Sequence, residues 1–195
     1  MKNKIIIVGA GGHAKSVLDV IETTRKFKNF LFLDDQKVGE KINKYLIQSE
    51  SKYKKNLLNF SKNLIIGVGM INDLKIREKL FIKFKKKGFN FPVIISPYSY
   101  VSKKAKIGEG SIIMHGALVN SGAIIGKNCI INSKAIIEHD CRINDNCHIA
   151  TGAIINGETI VGRNSFIGSN STLRNNIKIK KFSFIKFSSK ISKNT

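Results

Sequence analysis

Residues 124–155 read IIGKNCIINSKAIIEHDCRINDNCHIATGAII. An aliphatic residue returns at every sixth place, as Ile125, Ile131, Ile137, Ile143, Ile149 and Ile155. Four places after each of these stands a small residue: Cys129, Ala135, Cys141, Cys147, Ala153 and Thr159. The count runs without interruption from Ile95 to Ile191, and the small place holds from Ser99 to Ser189 with Ile177 as its single exception. A helix of about 3.6 residues per turn cannot keep both places on one face over such a length. A hexapeptide β-helix can, with three hexads to a coil of about 18 residues and coils stacked about 4.8 Å apart.

The three cysteines all occupy the small inward place, where Cys behaves as a small hydrophobe. Their odd number and the absence of a CxxC pair argue against a disulfide framework and a structural zinc site.

The residues before the repeats follow a different period. KIIIVGAGGHAKSVLDVI reads as a buried strand, a glycine turn and an amphipathic helix with Val17, Leu18 and Ile21 on one face. FLFLDD and NLIIGVG are strand-like, and INDLKIREKLFIKFKKKG, beginning at Ile71, reads as a helix stopped by Gly88. Alternating strands and helices predict a small α/β, Rossmann-like half domain over residues 1–92, followed by the β-helix over 93–195.

A chain of 195 residues can bury a sizeable core. No segment approaches the roughly 20 apolar residues of a membrane span. The basic, then apolar start contains only IIIVGA before the glycine loop, so a cytoplasmic protein is expected. The formal charge of +21 has two readings: AT-rich coding that favours Lys, Asn and Ile, or a basic surface for anions. A non-enzymatic binder of nucleic acid fits poorly, because the aromatics are not interleaved with the basic residues as stacking platforms would be; no specific nucleic-acid partner is expected.

Together, IIIVGAGGHAKSVLDVI, FLDD, IIGVG and the hexads through residue 175 resemble the nucleotide-sugar N-acetyltransferases of bacterial glycan synthesis and their sialic acid O-acetyltransferase relatives. The resemblance implies a left-handed β-helix, a homotrimer, and acetyl-CoA bound between neighbouring subunits. It implies acetyl transfer to the amine of a nucleotide-linked amino-deoxy sugar, with O-acetylation of sialic acid as the alternative. It further implies that His139 is the general base and Asp140 its orienting acid; a neutral imidazole suits that role near pH 7, and a carboxylate fixes its tautomer.

By the same resemblance, His148 hydrogen-bonds near the thioester, Gly157 offers a backbone N–H to the developing oxyanion, Ser169 lies along the cofactor, and Asn132 holds a polar active-site place. A thioester is already activated, so no metal is expected. His115, with no acid beside it, is expected on the surface or at a subunit interface, on a different face from His139.

In the glycine loop, Gly9, Gly11 and Ala14 satisfy G-x-G-x-x-[GA], and Asp34 follows 20 residues after Ala14. Some 90 residues supply only one mononucleotide-binding half, so a nucleotide-sugar is the better ligand, with its phosphate at the helix N-terminus. Gly11, Gly12 and His13 are then expected near sugar or phosphate, Asp34 or Asp35 near base or ribose, and Gly67 and Gly69 at a second backbone approach. The stretch LRNNIKIKKFSFIKFSSKISKNT departs from the family: it loses the glycines, carries seven basic residues and no acid, and lacks a GxPAK-like closing loop.

Overall fold

A computed structural model describes residues 3–53, 57–70 and 73–195. Contacts divide the chain into two units, one comprising the residues up to Gly69 and Lys79–Pro92, the other Met70–Glu78 and Val93–Thr195. The division expected at residue 92 is therefore one of three crossings, and the segment Met70–Glu78 belongs with the repeats.

In the first unit a sheet forms in the order β3 (Lys41–Ile42), β4 (Tyr45–Gln48), β2 (Asn29–Leu33), β1 (Lys4–Val8) and β5 (Leu64–Ile66). All neighbours are parallel except β3 and β4. The run of β-branched residues in β1 is buried on both sides, as a central parallel strand must be. Helix α1 (Gly12–Thr24) buries Ala14, Val17, Leu18, Val20 and Ile21, and ends in a left-handed Arg25. The β3–β4 hairpin and the short helix α2 (Leu57–Phe60) carry no strong signal in the sequence.

Helix α3 spans Ile76–Lys86 and stops before Gly88, which has φ +87°. Its first turn follows Asp73, whose carboxylate accepts the Lys75 N–H at 2.7 Å. Ile71 and Asn72, where the helix was expected to begin, lie outside the described residues.

The second unit is a left-handed β-helix of two-residue strands in three parallel sheets. The first face runs from Ile94–Ile95 to Phe184–Ile185, the second from Tyr100–Val101 to Lys190–Ile191, and the third from Lys106–Ile107 to Lys178–Ile179. Each strand pairs with the one 18 residues on, as Ile130 with His148 and Ile136 with Ile154. The aliphatic and small places merge into one core from Ile113 to Ile185, including Ile177, the exception to the small place.

Two regularities explain the rest of the hexad. Every sixth residue from Gly110 to Ser188 has a positive φ, between +54° and +74°, which turns the chain at each edge of the prism. Gly, Asn and Asp hold most of these places because they tolerate the left-handed region that costs other residues about 1 kcal/mol or more. In the last coils Phe182 and Ser188 take these places instead.

The small inward residues also satisfy backbone carbonyls. Hydroxyls of Ser111, Thr159, Ser165 and Ser171 donate to a carbonyl 15 residues on, at 2.7–3.1 Å. Cys129, Cys141 and Cys147 do the same with Sγ at 3.1 Å from the carbonyls of Asn144, Asn156 and Gly162. A thiol thus fits the place of a serine: small, and able to reach a buried acceptor.

Candidate active site

The turn carrying His139 joins the second face to the third. Asp140 occupies the left-handed position there, with φ +58°, so its side chain is free to swing back along the turn. It does so: Asp140 Oδ2 lies 3.0 Å from His139 Nδ1. Both side chains are open to solvent, 50% and 64% exposed, which leaves the imidazole able to meet a ligand.

Coil stacking frames this pair from above and below. Gly122, one coil earlier, faces the Asp140 carboxylate; a Cβ there would collide with Oδ1. Gly157, one coil later, faces the ring; its Cβ would stand 2.6 Å from both Cε1 and Nε2 of His139. Only glycine fits either place while the pair keeps this geometry. Glu138, beside the pair, accepts a hydrogen bond from Asn120 Nδ2 at 2.9 Å. Glu138 and Asn120 were not singled out in the sequence as site residues, although their separation of 18 residues marks them as stacked neighbours.

His148 stands elsewhere. It is on the first face, in an outward row between Ile130 and Phe166, and is only 5% exposed. In a three-sided prism the edge between the second and third faces lies opposite the first, so one protomer does not bring His148 to His139. Asn132 does join His148: its Nδ2 lies 3.2 Å from His148 Nε2. The Phe166 ring meets the imidazole edge to face at 5.1 Å, and Phe166 itself packs with Met70 and Ala150. Ser169 is on the edge between first and second faces, two coils beyond Ser133, where its carbonyl accepts the Ser188 N–H at 2.8 Å.

The electrostatics separate the two histidines. Burial pushes the His148 pKa down, the Arg77 cation lowers it further, and a hydrogen bond with the Met70 backbone opposes both, leaving it at about 3. At neutral pH this ring is uncharged, with one N–H donor and one acceptor nitrogen. Arg77 is fully buried, and burial lowers its pKa to about 10, so it remains a cation. Its Nη2 donates to Asn128 Oδ1 at 2.8 Å, Asn128 Nδ2 donates to Asn146 Oδ1 at 2.8 Å, and Asn164 Nδ2 donates to Glu78 Oε2 at 2.7 Å. The first turn of α3 thereby grips a stack of asparagines at the edge between third and first faces. Nothing in the hexad pattern pointed to Arg77.

His115 is half-buried on the edge between first and second faces, with Nδ1 2.6 Å from Ser96 Oγ and its ring 5.5 Å from that of Tyr98.

In the α/β unit, Gly11 is the N-cap of α1 with no side-chain cap, and a Cβ on Gly11 or Gly12 would meet nothing within 4 Å. The helix N-terminus is thus open to an anion. Gly9, with φ +99°, would collide with Val68 Cγ2 at 2.6 Å if it carried a Cβ, and Gly67 would press on Ile7 and Ala14. Gly67 therefore serves close packing of β5 on β1 and α1, and Gly69 lies 3.8 Å from His13 Cβ by the same measure. Asp34 and Asp35 are engaged by their own chain. Asp34 accepts the N–H groups of Ala10 at 2.9 Å and Gln36 at 3.0 Å, pinning the glycine loop. Asp35 accepts from Ser49 Oγ at 2.8 Å and the Glu50 N–H at 3.0 Å, bonds that lower its pKa.

Among the described residues, no group of three or more His, Cys, Asp or Glu side chains is placed to hold a metal ion, and no helix is long and apolar enough to cross a membrane.

The hexapeptide-repeat β-helix thus carries an acid-paired, solvent-open histidine on one edge, an arrangement suited to proton transfer in acyl transfer. Residues 4–84 match the PglD N-terminal domain and residues 122–157 match six repeats of the bacterial transferase hexapeptide. The chain is similar to the acetyltransferase domain of PglB from Neisseria gonorrhoeae, with 28% identity over 98% of this chain and 92% of that one, TM-score 0.92. The same domain in complex with acetyl coenzyme A matches at 27% identity over 98% and 93%, TM-score 0.89. PerB from Caulobacter crescentus, solved with CoA and GDP-perosamine, shares the fold at 23% identity over 98% and 90%, TM-score 0.91. No curated protein matches the chain in sequence. The two domain matches and the likeness to the PglB acetyltransferase domain support a hexapeptide-repeat sugar N-acetyltransferase.

Proposed function

We propose that the protein transfers the acetyl group of acetyl-CoA to the amino group of a nucleotide-linked amino-deoxy sugar in the cytoplasm. The observation that carries this reading is the His139–Asp140 pair at 3.0 Å on an exposed edge, roofed by Gly157. The complexes of the PglB domain with acetyl coenzyme A and of PerB with CoA and GDP-perosamine support donor and acceptor class.

In this reading the sugar amine attacks the thioester carbonyl and a C–N bond forms as the carbonyl becomes an oxyanion. His139 Nε2 takes the proton of the attacking nitrogen, while Asp140 holds Nδ1–H and stabilises the imidazolium. Collapse of the tetrahedral species breaks the C–S bond, and the imidazolium returns the proton to the departing thiolate. His148, neutral and buried, acts as a hydrogen-bonding group and leaves the proton traffic to His139. Holding two substrates in register supplies much of the acceleration.

Since His139 and His148 sit on opposite sides of one prism, a site using both draws them from neighbouring copies, as in a homotrimer. The outward row of the second face, with half-buried Leu118, Ile136 and Ile154, offers an apolar surface for such packing. The open N-terminus of α1 suits the phosphates of the nucleotide-sugar.

The test is thiol release from acetyl-CoA against UDP-, dTDP- and GDP-linked amino-deoxy sugars and free sialic acid, with His139→Ala alongside. Release that needs an amino sugar and is lost in the variant supports the reading. Release with sialic acid alone moves the acceptor to a hydroxyl, and release unchanged in His139→Ala removes His139 as the base.

A further inference from the structure

Aromatic and basic residues keep apart over most of the chain, but residues 180–187 read KKFSFIKF, and there they alternate. The hexad sets this run around the first face of the last coil. Phe182 takes the left-handed turn between the third and first faces, with φ +60°; Phe184 is the outward residue of the last first-face strand; Phe187 follows on the edge toward the second face. These rings are 36%, 44% and 58% exposed, and Lys180, Lys181 and Lys186 beside them are open to solvent. Phe184 stacks on the buried Phe166 at 4.9 Å, and Phe187 meets the same ring edge to face at 6.2 Å, so the two exposed rings share one floor. Phe182 is flanked by Lys75 at 5.2 Å and Arg163 at 5.9 Å.

The closing of a coil stack does not account for this surface. Strands at the edge of a sheet are guarded by charge against pairing with other chains, and lysines alone meet that need. The third-face edge is already covered: the Thr195 N–H donates to the Lys178 carbonyl at 3.1 Å and the Lys180 N–H to the Thr195 carbonyl at 3.0 Å. Exposed rings work the other way, adding apolar surface that calls for a partner. The charge here is also local in kind. All 13 Asp and Glu residues lie at or before Glu158, while eight Lys and Arg follow it. Coding that merely favours lysine would leave acids among them.

Rings set among cations fit the surface of a bilayer that contains anionic lipid. The rings enter the boundary between headgroups and acyl chains, and long lysine side chains reach the phosphates. A nucleic acid strand fits less well, because a base needs a free ring face; one face of Phe184 lies on Phe166, and Phe182 is attended by two cations. We propose that the last coil docks the protein reversibly on an anionic membrane surface through Phe184, Phe187, Lys180, Lys181 and Lys186. This docking goes beyond acetyl transfer and does not depend on it.

The chain has no Trp, so Phe187→Trp makes a reporter at the docking face. With vesicles of phosphatidylcholine and phosphatidylglycerol in equal parts, its emission is expected to shift to the blue and to be quenched by brominated acyl chains. Phosphatidylcholine alone is expected to do neither, and Tyr98→Trp, on the first coil, is expected to respond to neither vesicle. In co-sedimentation Lys180→Gln/Lys181→Gln/Lys186→Gln is expected to lose roughly 100-fold in partitioning, at about fivefold for each cation near an anionic surface. Phe184→Ser/Phe187→Ser is expected to lose roughly tenfold. Lys103→Gln/Lys104→Gln/Lys106→Gln, which removes the same charge from the first coil, is expected to keep most of the binding.

Equal losses in the two lysine variants overturn a local surface in favour of a diffuse cationic field, and no blue shift with anionic vesicles overturns the docking outright. A reporter already blue-shifted without vesicles, and unchanged by them, gives the face to contact between copies of the chain. A shift with oligothymidylate and none with vesicles gives it to nucleic acid. Release of bound protein by acetyl-CoA, at a concentration where pyrophosphate leaves it bound, gives it to the acyl donor. Phe187→Trp exchanges one aromatic for another at an exposed site, so the reporter decides even where a multiple variant fails to fold.

Discussion

Gly157 lies one coil beyond His139, so close that a single added methyl group would stand 2.6 Å from the ring's Nε2. The ring is half exposed and can move aside, so the cost of Gly157→Ala falls on geometry rather than on folding. We expect kcat to drop about 100-fold, the scale on which misplacement of a reacting group by about 1 Å acts, with Tm nearly unchanged. Wild-type kcat in Gly157→Ala would show that the ring does not need this position.

Asp140 both shapes the turn and supports the imidazole, and substitutions separate these roles. Asn accepts the left-handed turn at φ +58° but cannot stabilise an imidazolium as a carboxylate does. Asp140→Asn is therefore expected to keep its melting temperature and lose at least about tenfold in kcat, toward the roughly 10²–10⁴-fold loss expected for His139→Ala. Asp140→Val should lose activity and also about 1 kcal/mol or more of stability, because a β-branched residue must occupy that turn. Steady-state kinetics beside thermal unfolding reads both.

The buried His148 makes the fold sensitive to acid. Its pKa is lowered from 6.5 to about 3 in the folded protein, so between these values the unfolded chain binds more protons. The stability it contributes is complete above about pH 6.5 and is lost progressively as pH falls toward 3. Replacing His148 by Gln removes that dependence, so the fall in Tm between about pH 6.5 and about pH 4.5 should be shallower in His148→Gln than in the wild type. Parallel curves would mean that the imidazole titrates normally.

The cysteines are expected to be inert. Burial raises the pKa of Cys141 to about 11 and that of Cys147 well above its ordinary value. A maleimide should label none of the three in the native protein and all of them in denaturant. Cys129→Ser should change stability by less than about 1 kcal/mol, since Ser111, Ser165 and Ser171 fill the same place with the same carbonyl bond. Cys129→Leu should cost about 1–3 kcal/mol by overpacking a core already filled.

The sequence by itself determined the β-helix, because a period of six aliphatic places can be satisfied only by stacking identical coils. It also determined the inward place of every cysteine and the His139–Asp140 pair, since adjacent residues in a turn are neighbours whatever the fold does. The position of Gly157 over His139 was legible once about 18 residues were known to make a coil.

Tertiary structure alone decided what depends on how distant segments meet. Asp34 or Asp35 is expected near a nucleotide, and only the tertiary structure shows that their carboxylates accept N–H groups of the chain itself, those of Ala10 and Glu50. Residues nine apart fall on opposite sides of a three-sided coil, so the closeness of His139 and His148 in sequence says nothing about their distance in one protomer. Arg77 came to the asparagine stack, and its charge to His148, from a helix first turn that no repeat pattern contains. Periodicity governs what lies within a coil; the partners that coils acquire from outside follow from packing, and packing is not written in the period.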